Sequence, residues 1–113
     1  MKKIETVIRP EQFHDLRNML EEIGISGLTV TEAAGCGKQE GKQGVFRGSR
    51  YEIKLFPKVR VEMVVEDHLT GQIIDVILQT CGTGTVGDGK VFVIPIEDAI
   101  RIRTGETGLN AII

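Results

Sequence analysis

With 113 residues, a formal net charge of −2, 41% hydrophobic and 27% charged residues, the chain has the size of one small globular domain. No apolar run approaches the ~20 residues of a spanning helix, and the interspersed charges form no basic stripe of the kind a nucleic-acid groove needs. Cys36 and Cys81 match no metal or redox spacing, and the N-terminus lacks an apolar signal core, so a cytoplasmic protein with two reduced thiols is expected.

Residues 3–8 alternate and are β-branched, which predicts a first strand. Pro10 then suits the first position of a helix whose Phe13, Leu16, Leu20 and Ile23 form one apolar stripe, ended by Gly24. Residues 27–34 read as a second strand. From residue 35 to about 55 the periodicity fails, and Gly35, Gly37, Gly41, Gly44 and Gly48 are interleaved with charged and amide side chains. A loop this long is usually functional, and the alternation of Tyr51, Ile53 and Leu55 predicts that part of it extends as a ribbon.

Val59, Val61, Met63 and Val65 predict a third long strand, and Asp67 is a natural N-cap for a helix carrying Leu69, Ile73, Val76 and Ile77 on one face and ending at Gly82. Residues 91–96 form a nearly continuous apolar strand, and Arg101-Ile102-Arg103 reads as a short final one. Two β-α-β halves separated by a long loop predict an α+β, ferredoxin-like sandwich with both helices on one face of an antiparallel sheet. The apolar character of Val91, Phe92, Val93 and Ile94 on both sides of their strand implies that the helix-free face is covered too, by other copies of the chain.

Thr83-Gly84-Thr85-Val86-Gly87-Asp88-Gly89-Lys90 has the spacing of a P-loop, and Gly82, Gly84 and Gly87 that of a dinucleotide fingerprint. Both motifs lie between a strand and a following helix, whereas this segment lies between a helix and a following strand, and Val91 stands where a P-loop has Ser or Thr. Neither fold label applies, but glycines at 84, 87 and 89 permit an anion nest with Lys90 at its rim. Arg101 and Arg103, two apart on a strand, would share a face and help balance a polyphosphate's charge. No catalytic constellation appears: His14 and His68 lie on helix surfaces, Ser49 lacks a nucleophile elbow, and Asp88 and Glu62 are weak candidates for a general base.

Several ordered motifs together resemble the PII nitrogen-regulatory signal-transduction family over essentially the whole chain. They are Gly35-Cys36-Gly37-Lys38-Gln39-Glu40-Gly41, Arg47-Gly48-Ser49-Arg50-Tyr51, Pro57-Lys58-Val59, the glycine-lysine segment continuing through Val93, and Ile100-Arg101-Ile102-Arg103-Thr104-Gly105-Glu106. The resemblance implies a homotrimer of ferredoxin-like subunits, not an enzyme, with ATP or ADP in the clefts between them. A flexible partner-binding loop would span about residues 36–55, a phosphate-binding segment 82–90 and a C-terminal segment 101–113. It places nucleotide on Thr29, Gly35, Gly37, Lys38, Gln39, Glu62, Val64, Gly87, Asp88, Gly89, Lys90, Arg101 and Arg103, with Mg²⁺ held by Gln39. It places 2-oxoglutarate on Gln39, Glu40, Gly41 and Lys58.

At the loop tip, Arg47 matches a residue that plugs an ammonium transporter's pore in family members with that partner, and Tyr51 and Ser49 match modification sites. Lys38 stands in place of the usual arginine, which bears on the preference between ATP and ADP. Gly44 and Arg50 replace acidic residues common in the loop, and Cys36 holds a position that is often aromatic. The resemblance implies regulation of nitrogen assimilation by gating an ammonium transporter, with regulation of a soluble enzyme, such as nitrogenase or an arginine-synthesis kinase, as the alternative. From another class, an ATP-using ferredoxin-like enzyme is the competing reading.

Overall fold

The computed structural model describes residues 1–36 and 55–113, together with the backbone of residues 42–46 and 49–53. β1 (Lys2–Ile8) leads through a 3-10 turn at Pro10–Gln12 into α1 (Phe13–Glu22), and β2 (Thr29–Gly35) follows. A hairpin of β3 (Lys42–Phe46) and β4 (Ser49–Ile53) precedes the long β5 (Phe56–Val65). A second 3-10 turn, Asp67–Leu69, opens onto α2 (Thr70–Cys81), then come β6 (Val91–Pro95) and the short α3 (Leu109–Ile112).

Four strands form one antiparallel sheet in the order β2-β5-β1-β6. That order interleaves two split β-α-β units, which is the ferredoxin-like arrangement expected. Alternation along β1 and β5 divides the sheet into two faces: Ile4, Ile8, Val61, Met63 and Val65 point to the helices, where Leu16, Leu20, Ile73, Val76 and Ile77 complete the core. Each fully buried aliphatic side chain there contributes about 1.5–3 kcal/mol.

The helix ends follow local chemistry. Gly24 is left-handed (φ 87°), its N–H reaches Glu21 O at 3.0 Å and Ile25 N reaches Leu20 O at 2.9 Å, so α1 stops in a Schellman motif at the expected glycine. At α2 the expected N-cap is not formed: no side chain caps either the 3-10 turn or the helix. Asp67 instead takes the N-terminal ammonium of Met1 at 2.9 Å, and that hydrogen bond holds its carboxyl below the ordinary value. A full charge nearby outcompetes the weak pull of free backbone N–H groups.

The ribbon expected near Tyr51 and Ile53 is present, since β4 pairs with β3 over five residues, with Tyr51 opposite Gly44 and Ser49 opposite Phe46, and the two strands pair with each other and not with the main sheet. One further expectation is corrected. Arg101-Ile102-Arg103 is not a strand: residues 102–104 form a turn, closed by Gly105 N to Arg101 O at 2.7 Å and Arg101 N to Glu106 O at 2.8 Å. Gly105 at φ 75° permits that reversal, leaving only an isolated bridge between Ile100 and Thr107.

The helix-free face carries an ion-pair ladder, Lys3 Nζ to Glu62 Oε2 at 3.0 Å and Glu62 Oε1 to Arg60 Nε at 3.1 Å, with Arg60 4.0 Å from Glu5. At the sheet edge the register sets Phe92 opposite Glu5 and Ile94 opposite Lys3, so both project from this face. Val91 packs against the core, but Phe92, Val93 and Ile94 are 52%, 42% and 38% exposed, so most of β6 is apolar and exposed among the described residues. Among the described residues no helix is long and apolar enough to cross a membrane.

Candidate functional site

The sheet order brings the end of β1 beside the start of β6, and the residues leading into β6 therefore fold over the β1 terminus. Thr6, 1% exposed, donates its hydroxyl to Lys90 O at 2.9 Å and fixes that junction. Gly84, Gly87 and Gly89 all have positive φ (81°, 102° and 89°), as the nest reading required. Gly89 is also steric: a Cβ there would lie 2.2 Å from the Val7 carbonyl oxygen.

The nest differs from expectation in its contents. Asp88 Oδ2 accepts from Thr83 N at 2.8 Å and Gly84 N at 2.9 Å, while Oδ1 accepts the Thr83 hydroxyl at 2.5 Å and a contact from Arg9. The Thr83 hydroxyl first, then the Arg9 guanidinium, with the two N–H groups, hold the Asp88 carboxyl well below the usual carboxylate range. The N–H groups of the segment's first half are thus occupied by the chain's own anion. Outside the strand ladders, no hydrogen bond among the described residues engages the N–H groups of Gly87, Gly89 or Lys90. Asp88 therefore takes the N–H groups of residues 83 and 84 and not those of residues 87–90.

Those four residues line a cleft of about 570 Å³ together with Val7, Gly35, Cys36, Lys58, Thr85, Val86 and Phe92. Its volume suits a drug-sized or nucleotide-sized ligand. Lys58 is 9% exposed and donates from Nζ to Gly87 O at 3.0 Å, tying β5 to the segment. Lys90 is exposed at the cleft wall and makes no ion pair among the described residues. Cys36 is exposed there, whereas the Cys81 thiol is buried in the core, and burial first, then the charges of Asp88 and Asp15, push it up to about 11.

The expected nucleotide residues divide into three groups. Gly35, Gly87, Asp88, Gly89 and Lys90 share the cleft with Lys58. Thr29, Glu62 and Val64 line a separate depression of about 340 Å³ beside Lys3, and Thr29 pairs directly with Glu62 in the register. Glu62 is four residues beyond Lys58 on β5, about 13 Å away at ~3.3 Å per residue. Arg101 and Arg103 line neither. Arg101 pairs with Glu106 at 3.2 Å and donates to the Ile113 carbonyl at 2.6 Å, and Arg103 lies exposed in the turn, so their expected common strand face is absent.

Gly37, Lys38, Gln39, Glu40, Gly41 and Arg47 lie outside the described residues, and Ser49 and Tyr51 are placed by backbone alone on β4. No cluster of three metal-ligating side chains occurs among the described residues. Glu62 is committed to Lys3 and Arg60, and Asp88 to its own segment, so neither is placed as a general base.

Sequence reasoning missed Arg9, whose guanidinium reaches four acceptors in the segment, 74 to 79 residues away. No spacing reveals such a contact. The predicted topology could have found it, since a ferredoxin-like order sets the β1 end against the β6 entry.

Comparison with known proteins converges on one family. The protein-family model described as Nitrogen regulatory protein P-II matches residues 1–106. The chain is 50% identical over 112 residues to the nitrogen regulatory protein P-II of Rhodospirillum rubrum, covering 99% of this chain and all of the relative. It is 49% identical to that of Bradyrhizobium diazoefficiens over the same extent, and 46% identical to nitrogen regulatory protein P-II 1 of Escherichia coli over 106 residues, or 94% and 95% of the two chains. These relatives are named as regulatory proteins, not as enzymes.

Proposed function

The chain belongs to the P-II family of nitrogen regulatory proteins, and from that premise we propose that it is a homotrimeric sensor of ATP, ADP and 2-oxoglutarate. The observation that carries the proposal is the cleft lined by residues 87–90, which bring left-handed glycines, N–H groups without a partner among the described residues and Lys90 to one nucleotide-sized space. Backbone donors and a point cation are what polyphosphate recognition uses.

One chain supplies an incomplete site. A triphosphate carries about four negative charges, more than one nest and Lys90 offset. The depression at Thr29, Glu62 and Val64 and the arginines at 101 and 103 are the remaining nucleotide residues of the proposal, contributed by a neighbouring copy. Uncovered apolar residues on β6 supply the reason for the copies to meet. Arg101 and Arg103 act from the turn region, so the phosphates recruit them by reorienting an Arg101 guanidinium now engaged with the C-terminal carbonyl of Ile113 and an exposed Arg103.

The effector arm rests on the resemblance of Gln39, Glu40, Gly41 and Lys58. Mg²⁺ supplies a hard centre able to hold phosphate, amide and keto-acid oxygens together. The Lys58 ammonium, near the cleft floor and bonded to Gly87 O, links the effector's carboxylate to the phosphate segment. Calorimetry tests this coupling: 2-oxoglutarate binds with ATP and Mg²⁺ present, and its affinity collapses when either is omitted. Equal affinity in their absence overturns the effector reading.

The regulated partner is an ammonium transporter, contacted through Arg47 at the tip of the connection between β2 and β5. The bound protein is expected in pull-downs from membranes with ADP and released by ATP plus 2-oxoglutarate. Nucleotide-sensitive capture of a soluble enzyme of nitrogen metabolism, with none of the transporter, selects the alternative partner.

A further inference from the structure

Arg9 stands where β1 ends, behind the phosphate segment and outside the lining of the cleft. Its planar fork divides between two sets of acceptors. Nη1 donates to Asp88 Oδ1 and to Thr83 Oγ1 at 3.4 Å, and Nη2 donates to Thr85 Oγ1 at 3.2 Å and to the Val86 carbonyl at 2.9 Å. The Arg9 side chain is 16% exposed and that of Asp88 22%, so the pair is shielded but not sealed. Thr83 and Thr85 hydroxyls meet at 2.7 Å, completing a closed network over residues 83–88.

The arrangement has two consequences for a bound polyphosphate. Asp88 closes the first half of the segment by filling its N–H groups, which fixes the backbone that presents the N–H groups of residues 87–90. The same carboxylate puts a negative charge beside the place where an anion is to bind, and Arg9 offsets it from the far side. A lysine would bring the charge and three donors on one nitrogen, but not the planar fork whose separate nitrogens reach Asp88 and the Val86 carbonyl.

The geometry points to Arg9 as the positioning residue of the phosphate site: it holds residues 83–88 closed and neutralises Asp88, so that the free N–H groups and Lys90 meet phosphate in a preformed shape. This rests on the nucleotide reading of residues 87–90 and adds a residue that touches no ligand. Arg9 and Asp88 are therefore coupled. In Asp88→Asn the remaining carbonyl oxygen can take the place of Oδ2 and accept from Thr83 N and Gly84 N, but the new amide NH2 then takes the place of Oδ1 and confronts the Arg9 fork. Removing Arg9 as well leaves that amide free to donate to Thr83 Oγ1.

Calorimetry with ADP on the intact protein, paired with thermal melts, tests the coupling in wild type, Arg9→Ala, Arg9→Lys, Asp88→Asn and the Arg9→Ala/Asp88→Asn double variant. Each single variant is expected to bind ADP about tenfold more weakly, the fold-change of one charge-assisted contact. The double variant should be no weaker than the weaker single one, the signature of one shared interaction. The loss should grow from AMP to ATP at an unchanged melting temperature, which a merely structural role does not produce. Losses that multiply in the double variant, or Arg9→Lys binding as wild type, overturn the proposal. If Arg9→Ala gives no cooperative melt, Arg9→Lys decides alone, by weaker binding or by wild-type binding at the wild-type melting temperature. A wild-type protein that binds no ADP overturns the nucleotide reading itself, and this inference with it.

Discussion

Gly89→Ala is expected to weaken ADP binding by about a hundredfold or more, measured by calorimetry, while the helix-covered core stays folded. The added methyl would meet the Val7 carbonyl oxygen at 2.2 Å, well inside van der Waals contact. Val7 cannot withdraw, because β1 is bonded to β5 on one side and β6 on the other. The phosphate segment must move instead, carrying the N–H groups of residues 87–90 away from the cleft. The left-handed conformation at φ 89° adds about 1–2 kcal/mol of strain for any residue with a Cβ. Gly84→Ala provides the contrast: its φ is 81°, but a Cβ there has nothing within 4 Å. That variant should lose tenfold or less, from strain alone, and equal losses in the two variants would remove the steric role assigned to Gly89.

What could be read from the sequence was whatever a single local signal determines. The stripe of Leu16 and Leu20, the left-handed Gly24 and the alternation of Val61, Met63 and Val65 all reappear, because helix and strand periods follow from which face is buried. The site was legible only in part. Three glycines and Lys90 announced an anion nest, yet its first anion is Asp88, since a carboxylate four or five residues away reaches Thr83 N and Gly84 N more readily than any ligand. Arg101 and Arg103 resembled a strand because isoleucines alternate with them, but Gly105 reverses the chain before a partner strand can pair. Arg9 was missed for the opposite reason: no local signal marks it, and its role is read only from the strand order of the whole sheet.

Ile94→Lys is expected to convert the protein from a species three times its 12.4 kDa chain mass to one of single-chain mass, as read by light scattering at micromolar concentration. Ile94 projects from the helix-free face opposite Lys3 and takes no part in the core of its own chain. In the free chain the substitution replaces an exposed apolar group by a solvated one and leaves folding intact. In the assembly it places a cation beside Lys3 with Glu62 already shared between Lys3 and Arg60, and an unpaired buried charge costs several kcal/mol per ion. Threefold repetition multiplies that cost, so dissociation and not local adjustment is the expected outcome. The consequence reaches the nucleotide site without touching it. Ile94 does not line the cleft, so a dissociated variant retains Lys58 and residues 87–90, and on the proposed trimeric site it loses Thr29, Glu62 and Val64 of the neighbouring copy. Its ADP affinity should therefore fall together with its mass. A single-chain species that binds ADP as tightly as wild type would show that one chain carries the whole site, and a wild-type protein of single-chain mass would remove the assembly from the mechanism.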